Sequence, residues 1–190
     1  MEPDQLKVEL LNRMPIARYD HVLRVTEVAK NLSQKYGVSV AAAEQAALFH
    51  DIAKFMDKEA LRLILVKENA DDRLLSFHHE LWHGPVGAII ASQEFGIIDQ
   101  DILNAVRYHT TGRAEMSMLE KVIYVADMIE PGRDFPGVDK LREIATEDIH
   151  MAMGACIHQS VQFLVSKKVP VFPDSIDCYN EHVIKRGIVK

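Results

Sequence analysis

Cysteine is scarce in this chain of 190 residues, which contains only Cys156 and Cys178. Two cysteines are too few for a disulfide framework or a cysteine-rich zinc site. The sequence also lacks an apolar run near the ~20 residues that a membrane span needs. No basic start followed by an apolar stretch appears in its opening segment MEPDQLKVEL. These absences predict a cytoplasmic protein with no membrane partner.

Basic charge is also in deficit, because 22 Lys and Arg face 28 Asp and Glu and leave a net charge of −6. Surfaces that bind nucleic acid are normally basic, so no nucleic-acid partner is expected. Histidine, in contrast, is abundant, with nine residues. Since thiols are scarce, any metal must be bound by imidazole and carboxylate groups.

Strand patterns are few, and the extended segment 169–173 contains two prolines, which argues against a core strand. Apolar residues instead recur with helical spacing, as at Val22, Val25, Ala29 and Leu32. We therefore predict one all-α domain over residues 1–190. Its motifs lie in residues 18–138, and the helices of residues 139–190 complete the bundle.

Residues that favour helix starts precede several of the apolar segments, namely Ser39, Asp57, Asp99 or Asp101, and Ser117. The helix after Ser39 is expected to continue through Lys54. The helix opened by Asp99 or Asp101 is expected to continue to His109, and Ser175 is expected to cap the last helix.

Imidazole and carboxylate groups lie near the ends of separate predicted helices or inside apolar runs. His50 and Asp51 end an apolar helix, and Asp127 follows the apolar run 122–126. Burying such groups is costly unless they find partners or a metal. Helical bundles build histidine and carboxylate metal sites in this way. The candidate metal ligands are His21, His50, Asp51, His83, His109 and Asp127.

Six ligands exceed the four that one zinc ion usually takes. The set therefore suits two metals with Asp51 as the bridging carboxylate. Nitrogen and oxygen ligands of this kind fit iron, manganese or zinc better than magnesium or calcium.

Taken singly, these residues have plainer interpretations. His50 and Asp51 would form a satisfied buried pair, and Asp127 would pair with Arg133. Lys54 would be a solvated lysine that complements a helix dipole. His21 would be an exposed or capping residue, and His109 a histidine favoured at a helix C-terminus.

The segment 79–83 reads H-E-x-x-H, the signature of zinc metalloproteases. That chemistry needs both histidines on one helical turn. Pro85 disfavours helical geometry at Gly84, so a protease is a remote alternative here. His78 and His79 are interpreted as loop residues, or His79 as lining a pocket beside His83, and Glu80 has no assigned function.

Four strings then set a more specific pattern: HDIAK, WHGPVGA, YHTTG and YVADMIEPGRDFPGV, preceded by His21. Their order resembles that of the HD-domain metal-dependent phosphohydrolases. In detail, the strings resemble the YqeK family of bacterial symmetrical diadenosine tetraphosphate hydrolases. The similarity runs from about Arg18 to about Val138.

This resemblance implies an all-α HD fold with a dinuclear metal site, with iron as the expected metal and manganese or zinc as alternatives. One metal would be held by His21, His50, Asp51 and Asp127. The other would be held by His83, His109 and the bridging Asp51. The implied enzyme is a symmetrical bis(5'-nucleosyl)-tetraphosphatase that forms two ADP by attack of metal-bound hydroxide on an inner phosphorus. Another HD-type phosphohydrolase, acting on nucleotides, dNTPs or an alarmone, is the alternative.

Groups near the motifs supply candidates for catalysis and phosphate binding. Asp51 and Lys54 are the catalytic candidates. The cations expected to bind phosphate are Arg24, Lys54 and Arg133, and the turn donors are Thr110, Thr111 and Gly112. Because the chain is acidic overall, attraction for a small polyphosphate substrate must be local. No feature of the sequence indicates a homo-oligomer.

Overall fold

The computed structural model describes residues 3–184, with side chains from residue 6 onward. Over this range the chain is helical and contains no β-strand, so the predicted all-α class is confirmed. The helices are α1 (Pro3–Arg13), α2 (Ile16–Tyr36), α3 (Val40–Phe49), α4 (Lys58–Lys67), α5 (His83–Gln93), α6 (Gln100–Arg107), α7 (Met118–Ile129), α8 (Val138–Glu147), α9 (Ile149–Ser166) and α10 (Pro173–Tyr179). Short 3₁₀ segments cover Asp72–Ser76 and His79–Leu81, and a π-helical turn covers Asn180–Ile184.

Several predicted helix boundaries are confirmed by the hydrogen bonds found there. Gly37 follows α2 with a φ of +70°, a conformation that suits glycine. Ser39 accepts a hydrogen bond from the Ala42 amide at the start of α3. Asp57 caps α4 in the same way. At Ser117 the cap is reciprocal, because the Glu120 side chain also accepts from the Ser117 amide.

Three predicted boundaries are wrong. Helix α3 ends at Phe49 rather than continuing to Lys54, and α6 ends at Arg107 rather than at His109. The residue at the N-cap position of α10 is Phe172, so Ser175 lies inside that helix and does not cap it. The first two corrections matter for function, since they place candidate ligands in turns just beyond helix ends.

Imidazole groups help to end α3 and α6. The Nδ1 atom of His50 lies 2.5 Å from the Ala47 carbonyl oxygen, and that of His109 lies 2.8 Å from the Val106 carbonyl oxygen. Carbonyl groups in the last turn of a helix lack amide partners. Here a histidine side chain supplies the donor, so the chain can turn while its carbonyl stays hydrogen-bonded.

Helix α5 begins at His83, so Gly84 is helical and the expectation that Pro85 excludes this is wrong. Proline is tolerated in a first turn because the amide that it lacks would be unpaired there. Gly84 is needed for packing, since a Cβ atom at this position would lie 2.7 Å from the Arg107 carbonyl oxygen. The two helices that carry His83 and lead to His109 therefore approach closely.

Helix α7 lies at the centre of the fold and packs against α2, α6 and α9, while α2 also packs along α3. Most of its apolar side chains are fully or almost fully buried, including those of Val122, Ile123, Tyr124 and Val125. Within residues 3–184, the model has no helix whose length and apolar character would let it cross a membrane.

Candidate metal centre

The carboxylate of Asp51 lies at the centre of the candidate site and is fully buried. Its Oδ2 atom is 3.1 Å from His50 Nε2 and 3.7 Å from His21 Nε2. Its Oδ1 atom is 3.3 Å from His83 Nε2 and 3.8 Å from His109 Nε2. Each oxygen of one carboxylate thus faces a different pair of imidazoles.

Asp127 adds a second carboxylate on one side of this arrangement. Its Oδ1 atom lies 3.0 Å from His21 Nε2 and 4.0 Å from His50 Nε2. The structure therefore brings all six predicted ligands together. In two of the groups formed, the candidate ligand atoms lie within 4.8 Å of one another; these are His21, His50 and Asp51, and Asp51, His83 and His109.

The hydrogen bonds of the four histidines determine which ring nitrogen faces the centre. Nδ1 of His50, His83 and His109 lies 2.5–2.8 Å from a backbone carbonyl oxygen three residues earlier in the chain. A carbonyl oxygen only accepts, so Nδ1 must carry the proton. In neutral imidazole this leaves Nε2 with a free lone pair. Metal-bound histidines are commonly oriented in this way.

Buried polar atoms without partners test whether this arrangement fits a metal. Both oxygens of Asp51 and the Nε2 atoms of His21 and His50 are buried and have no hydrogen bond of ordinary geometry among the described residues. Leaving such atoms unpaired is costly, and most buried polar groups are paired. Nitrogen and oxygen donors converging without bonds of their own fit a divalent metal ion. The donor set is one that iron, manganese and zinc share.

Several pKa values in the cluster are shifted. Burial alone would raise the pKa of Asp51, but the adjacent imidazoles of His50, His83 and His109 outweigh it and hold that pKa well below its usual range. Burial would lower the pKa of His50, but the nearby carboxylates of Asp51 and Asp127 outweigh it and raise that pKa. Burial, together with the charges of His83 and His50, lowers the pKa of His109 to about 3. The carboxylate is therefore ionised and the His109 imidazole neutral near pH 7.

The cations predicted to bind phosphate all contact carboxylates in this structure. Arg24 Nε lies 2.5 Å from Glu130 Oε2. Arg133 donates to Asp127 Oδ1 at 2.5 Å and to the Asp127 carbonyl oxygen at 2.7 Å. Their predicted contacts with substrate remain predictions.

Lys54, the third of the predicted cations, also has an acidic partner. Its Nζ atom lies 2.5 Å from Glu80 Oε2, and about a quarter of the Lys54 side chain is exposed. Glu80 is the acidic residue of the protease-like string. Its carboxylate therefore pairs with a lysine at the edge of the site.

The turn after His109 has a mixed environment. Thr111 is buried, and the Oγ1 atom of Thr110 is buried with no hydrogen-bond partner in the described chain. Gly112 has a φ of +62°, and a Cβ atom there would lie 2.5 Å from the Cys178 Sγ atom. Gly112 therefore lets this turn pack against α10, while its predicted role in substrate binding remains a prediction.

Arg18 is a residue of the site that the sequence analysis missed. A guanidinium nitrogen of Arg18 contacts Oδ2 of Asp51. Its position three residues before His21 on α2 was the available signal, because residues three apart share a helix face.

The H-E-x-x-H string does not form the geometry of a metalloprotease. His79 lies in the 3₁₀ segment His79–Leu81, whereas His83 begins α5. The His83 Nε2 atom lies 3.0 Å from His109 Nε2, within the cluster, and the rings of His78 and His79 lie side by side at 4.4 Å. The two histidines of the string are therefore on separate elements.

Comparison with known proteins decides the family. The family model described as the HD domain matches residues 18–132, which include all six candidate ligands. The chain belongs to the HD domain family. The six candidate ligands of this HD domain lie on α2, after α3, at the start of α5, after α6 and on α7.

Close relatives of this HD domain protein share most of its length. The Bacillus subtilis protein named "Bis(5'-nucleosyl)-tetraphosphatase, symmetrical" is 48% identical over 86% of this chain and 88% of its own. A Halalkalibacterium halodurans protein of the same name is 42% identical over 89% and 90%. A Clostridium acetobutylicum crystal structure, described as a predicted HD superfamily hydrolase involved in NAD metabolism, is 36% identical with a TM-score of 0.93 and covers 97% of this chain and 98% of its own.

Proposed function

We propose that this protein hydrolyses diadenosine tetraphosphate symmetrically, with two ADP as the products. The observation that carries the proposal is the buried Asp51 carboxylate, each of whose oxygens faces a separate pair of imidazoles. The names of the relatives from Bacillus subtilis and Halalkalibacterium halodurans support the choice of substrate.

The site would hold two metal ions, with iron as the first candidate and manganese and zinc as alternatives. His21, His50, Asp51 and Asp127 would hold one ion, and His83, His109 and Asp51 the other. Metal ions in such a site supply a nucleophile near neutral pH and withdraw charge from phosphoryl oxygens.

The reaction consumes one water molecule. The water oxygen forms a bond to an inner phosphorus, and the bond from that phosphorus to the central bridging oxygen breaks. The leaving ADP keeps the bridging oxygen. Its departure is helped by cations that neutralise charge on the phosphate groups.

We infer that two cations of the chain contact the polyphosphate. Arg18 lies at Asp51 and Lys54 lies at the edge of the site, where it is partly exposed. We assign both to phosphate binding, and Lys54 also to proton donation to the leaving ADP. A polyphosphate would replace Glu80 as the partner of Lys54. Arg24, Arg133, Thr110, Thr111 and Gly112 complete the proposed substrate-binding set.

The experiment that tests this function combines metal analysis with product analysis. The metal-loaded protein is incubated with diadenosine tetraphosphate, and its products are separated. ADP alone, together with two metals per chain, supports the proposal. AMP plus ATP would show asymmetric cleavage and contradict it.

A substrate panel separates this proposal from another HD-type activity. Nucleoside 5'-monophosphates, dNTPs and a guanosine alarmone are offered under the same conditions. Faster turnover of any of these than of the dinucleotide would assign the protein to a different substrate class. We further infer a cytoplasmic location and a small-molecule partner only, in keeping with the acidic charge of −6.

A further inference from the structure

The residues that follow helix α7 contact a metal ligand from a distant part of the chain. Glu130, at the C-cap of α7, is buried, and its Oε1 atom lies 3.1 Å from His21 Nδ1. Its Oε2 atom accepts hydrogen bonds from Arg24 Nε at 2.5 Å and from the Gly132 amide at 2.6 Å. A buried carboxylate thus has three donors, one of which is a candidate ligand.

His21 needs such an acceptor because of its place in the fold. The other three candidate histidines donate from Nδ1 to a backbone carbonyl three residues earlier. His21 lies inside the long helix α2, whose interior carbonyls accept amides of the next turn. Its Nδ1 atom has its partner outside α2, and Glu130 supplies a charged one.

The bond to Glu130 also orients the ring of His21. An ionised carboxylate can accept hydrogen bonds but cannot donate them, so Nδ1 of His21 carries the proton. Its Nε2 atom faces Asp127 and Asp51. Arg24 Nε and the Gly132 amide both donate to Glu130 Oε2. Donors of this kind favour the ionised form of a carboxyl group.

The other residues of the 130–133 segment support the contact between Glu130 and His21. Pro131 follows Glu130 directly, and Glu130 has left helical geometry with a ψ of 150°. A Cβ atom at Gly132 would lie 2.5 Å from Arg24 Nη2, so glycine lets the guanidinium pack against the chain. On the other side of the segment, Arg133 donates to the side chain and carbonyl of Asp127.

We propose that Glu130 is a positioning residue that fixes the tautomer and the orientation of His21 for metal binding. With Arg133 on Asp127, the 130–133 segment then orients two ligands of the same metal, one from α2 and one from α7. This inference rests on the proposed metal site. The inference also gives Arg24 a structural role, which is to hold the Glu130 side chain in place.

Cobalt(II) titration of the metal-free protein tests the proposal, with visible absorption and a competing chelator giving the affinity of each binding step. Glu130→Met removes the acceptor, whereas Glu130→Gln keeps an oxygen that can accept from Nδ1. Loss of an outer partner of a metal ligand typically costs about 10- to 100-fold in affinity. We expect Glu130→Met to weaken one binding step by about that factor and leave the other unchanged, with Glu130→Gln between it and the wild type.

Glu120→Gln is the matched control. Glu120 is equally buried at the other end of α7, bonds an arginine at 2.7 Å and accepts from a backbone amide at 2.7 Å, but contacts no candidate ligand. The Glu120→Gln variant should have a lower thermal stability than the wild type but the same cobalt affinities. Wild-type affinities in Glu130→Met, or an equal weakening in Glu120→Gln, would overturn the proposal.

The two proposals fail in different ways. A wild-type protein that binds no cobalt, or that releases AMP and ATP from the dinucleotide, contradicts the proposed function. A wild type that binds cobalt, beside a Glu130→Gln variant that binds it with the same affinities, contradicts only the role of Glu130. Should Glu130→Met not fold, the Glu130→Gln titration decides alone.

Discussion

Asp51 is the side chain on which the candidate metal centre depends most, because both of its oxygens face imidazoles. It is fully buried, and a guanidinium nitrogen of Arg18 contacts its Oδ2 atom. An uncompensated buried charge is strongly destabilising. A substitution here therefore affects the whole group of ligands at once, whereas a substitution at Glu80 affects an exposed ion pair with Lys54.

Asp51→Asn should remove most of the activity, since the amide keeps the shape but loses the charge that the two proposed metals would share. Metal catalysis is worth several kcal/mol, so we expect kcat to fall by about a thousandfold or more. Glu80→Gln should keep kcat within a few fold. Steady-state kinetics with the dinucleotide would check both variants. The reverse pattern would favour the protease interpretation of the string at 79–83.

His50→Ala and Asp127→Ala should each lower bound metal as well as rate. His50 is fully buried and faces both carboxylates, so its loss removes a donor that nothing else in the cluster replaces. Elemental analysis after dialysis measures the metal retained. His158→Ala, at an exposed histidine that stacks on Tyr179, is the control and should keep the wild-type content. Two metals per chain in either test variant would remove that residue from the ligand set.

The contact between α5 and α6 determines how closely His83 and His109 approach each other. Their Nε2 atoms are 3.0 Å apart, and Gly84 allows the backbone of α5 to lie against the end of α6. At Gly87, one turn further along α5, a Cβ atom would meet the Val106 side chain at 3.3 Å. Packing thus requires glycine at position 84, whereas the neighbour of Gly87 is a side chain that can shift.

Gly84→Ala should destabilise the protein and weaken the metal site on the His83 side. The added Cβ would meet a backbone oxygen at 2.7 Å, and overpacking typically costs about 1–3 kcal/mol. Gly87→Ala should cost less, because a side chain can shift by a few tenths of an ångström. Urea unfolding with a parallel cobalt titration compares the two. A larger loss in Gly87→Ala would contradict this account of the packing.

Local signals predicted much of the helical framework but not the ends that position the ligands. The caps at Ser39, Asp57 and Ser117 depend on neighbouring amides, so the sequence reveals them. The stop at Phe49 depends on the His50 side chain bonding a carbonyl, and propensity alone extends an alanine-rich helix further.

The grouping of the candidate ligands was predictable, whereas the residues that support them were not. His21 and Asp127 stand in recognisable strings, and the structure brings them within 3.0 Å. Glu130 looked like the last residue before a proline, and its partners, Arg24 and His21, are 106 and 109 positions away. The sequence alone gives no means of pairing residues so far apart. The one usable signal was an acidic residue, Glu130, at the end of an apolar helix, where a buried carboxylate needs partners.

The molecule as a whole is acidic, and its candidate ligands come from five separated segments that span residues 21–127. An ion or small molecule that binds only the folded state stabilises that state by mass action. Bound metal should therefore raise the free energy of unfolding of the entire chain and not only that of the turns around Asp51.

Removing metal should lower the thermal midpoint of the chain. At a free metal concentration of 100 times the dissociation constant, linkage predicts about 2.7 kcal/mol, which corresponds to a shift of roughly 5–10 °C for a protein of this size. Differential scanning calorimetry with increasing manganese, against a chelator-treated sample, measures it. Asp51→Asn should show no metal-dependent shift. An identical midpoint with and without metal in the wild type would contradict a folded-state metal site.

The contact between His21 and Glu130 joins positions 109 residues apart. Closing a loop of that length costs conformational entropy that grows only slowly with each added residue, and the packing of α2 against α7 spreads that cost over many contacts. A metal ion bound by His21 and Asp127 would cross-link α2 and α7, the same two helices that this contact joins. Retained metal would then report the integrity of the whole bundle, including helices that contribute no ligand.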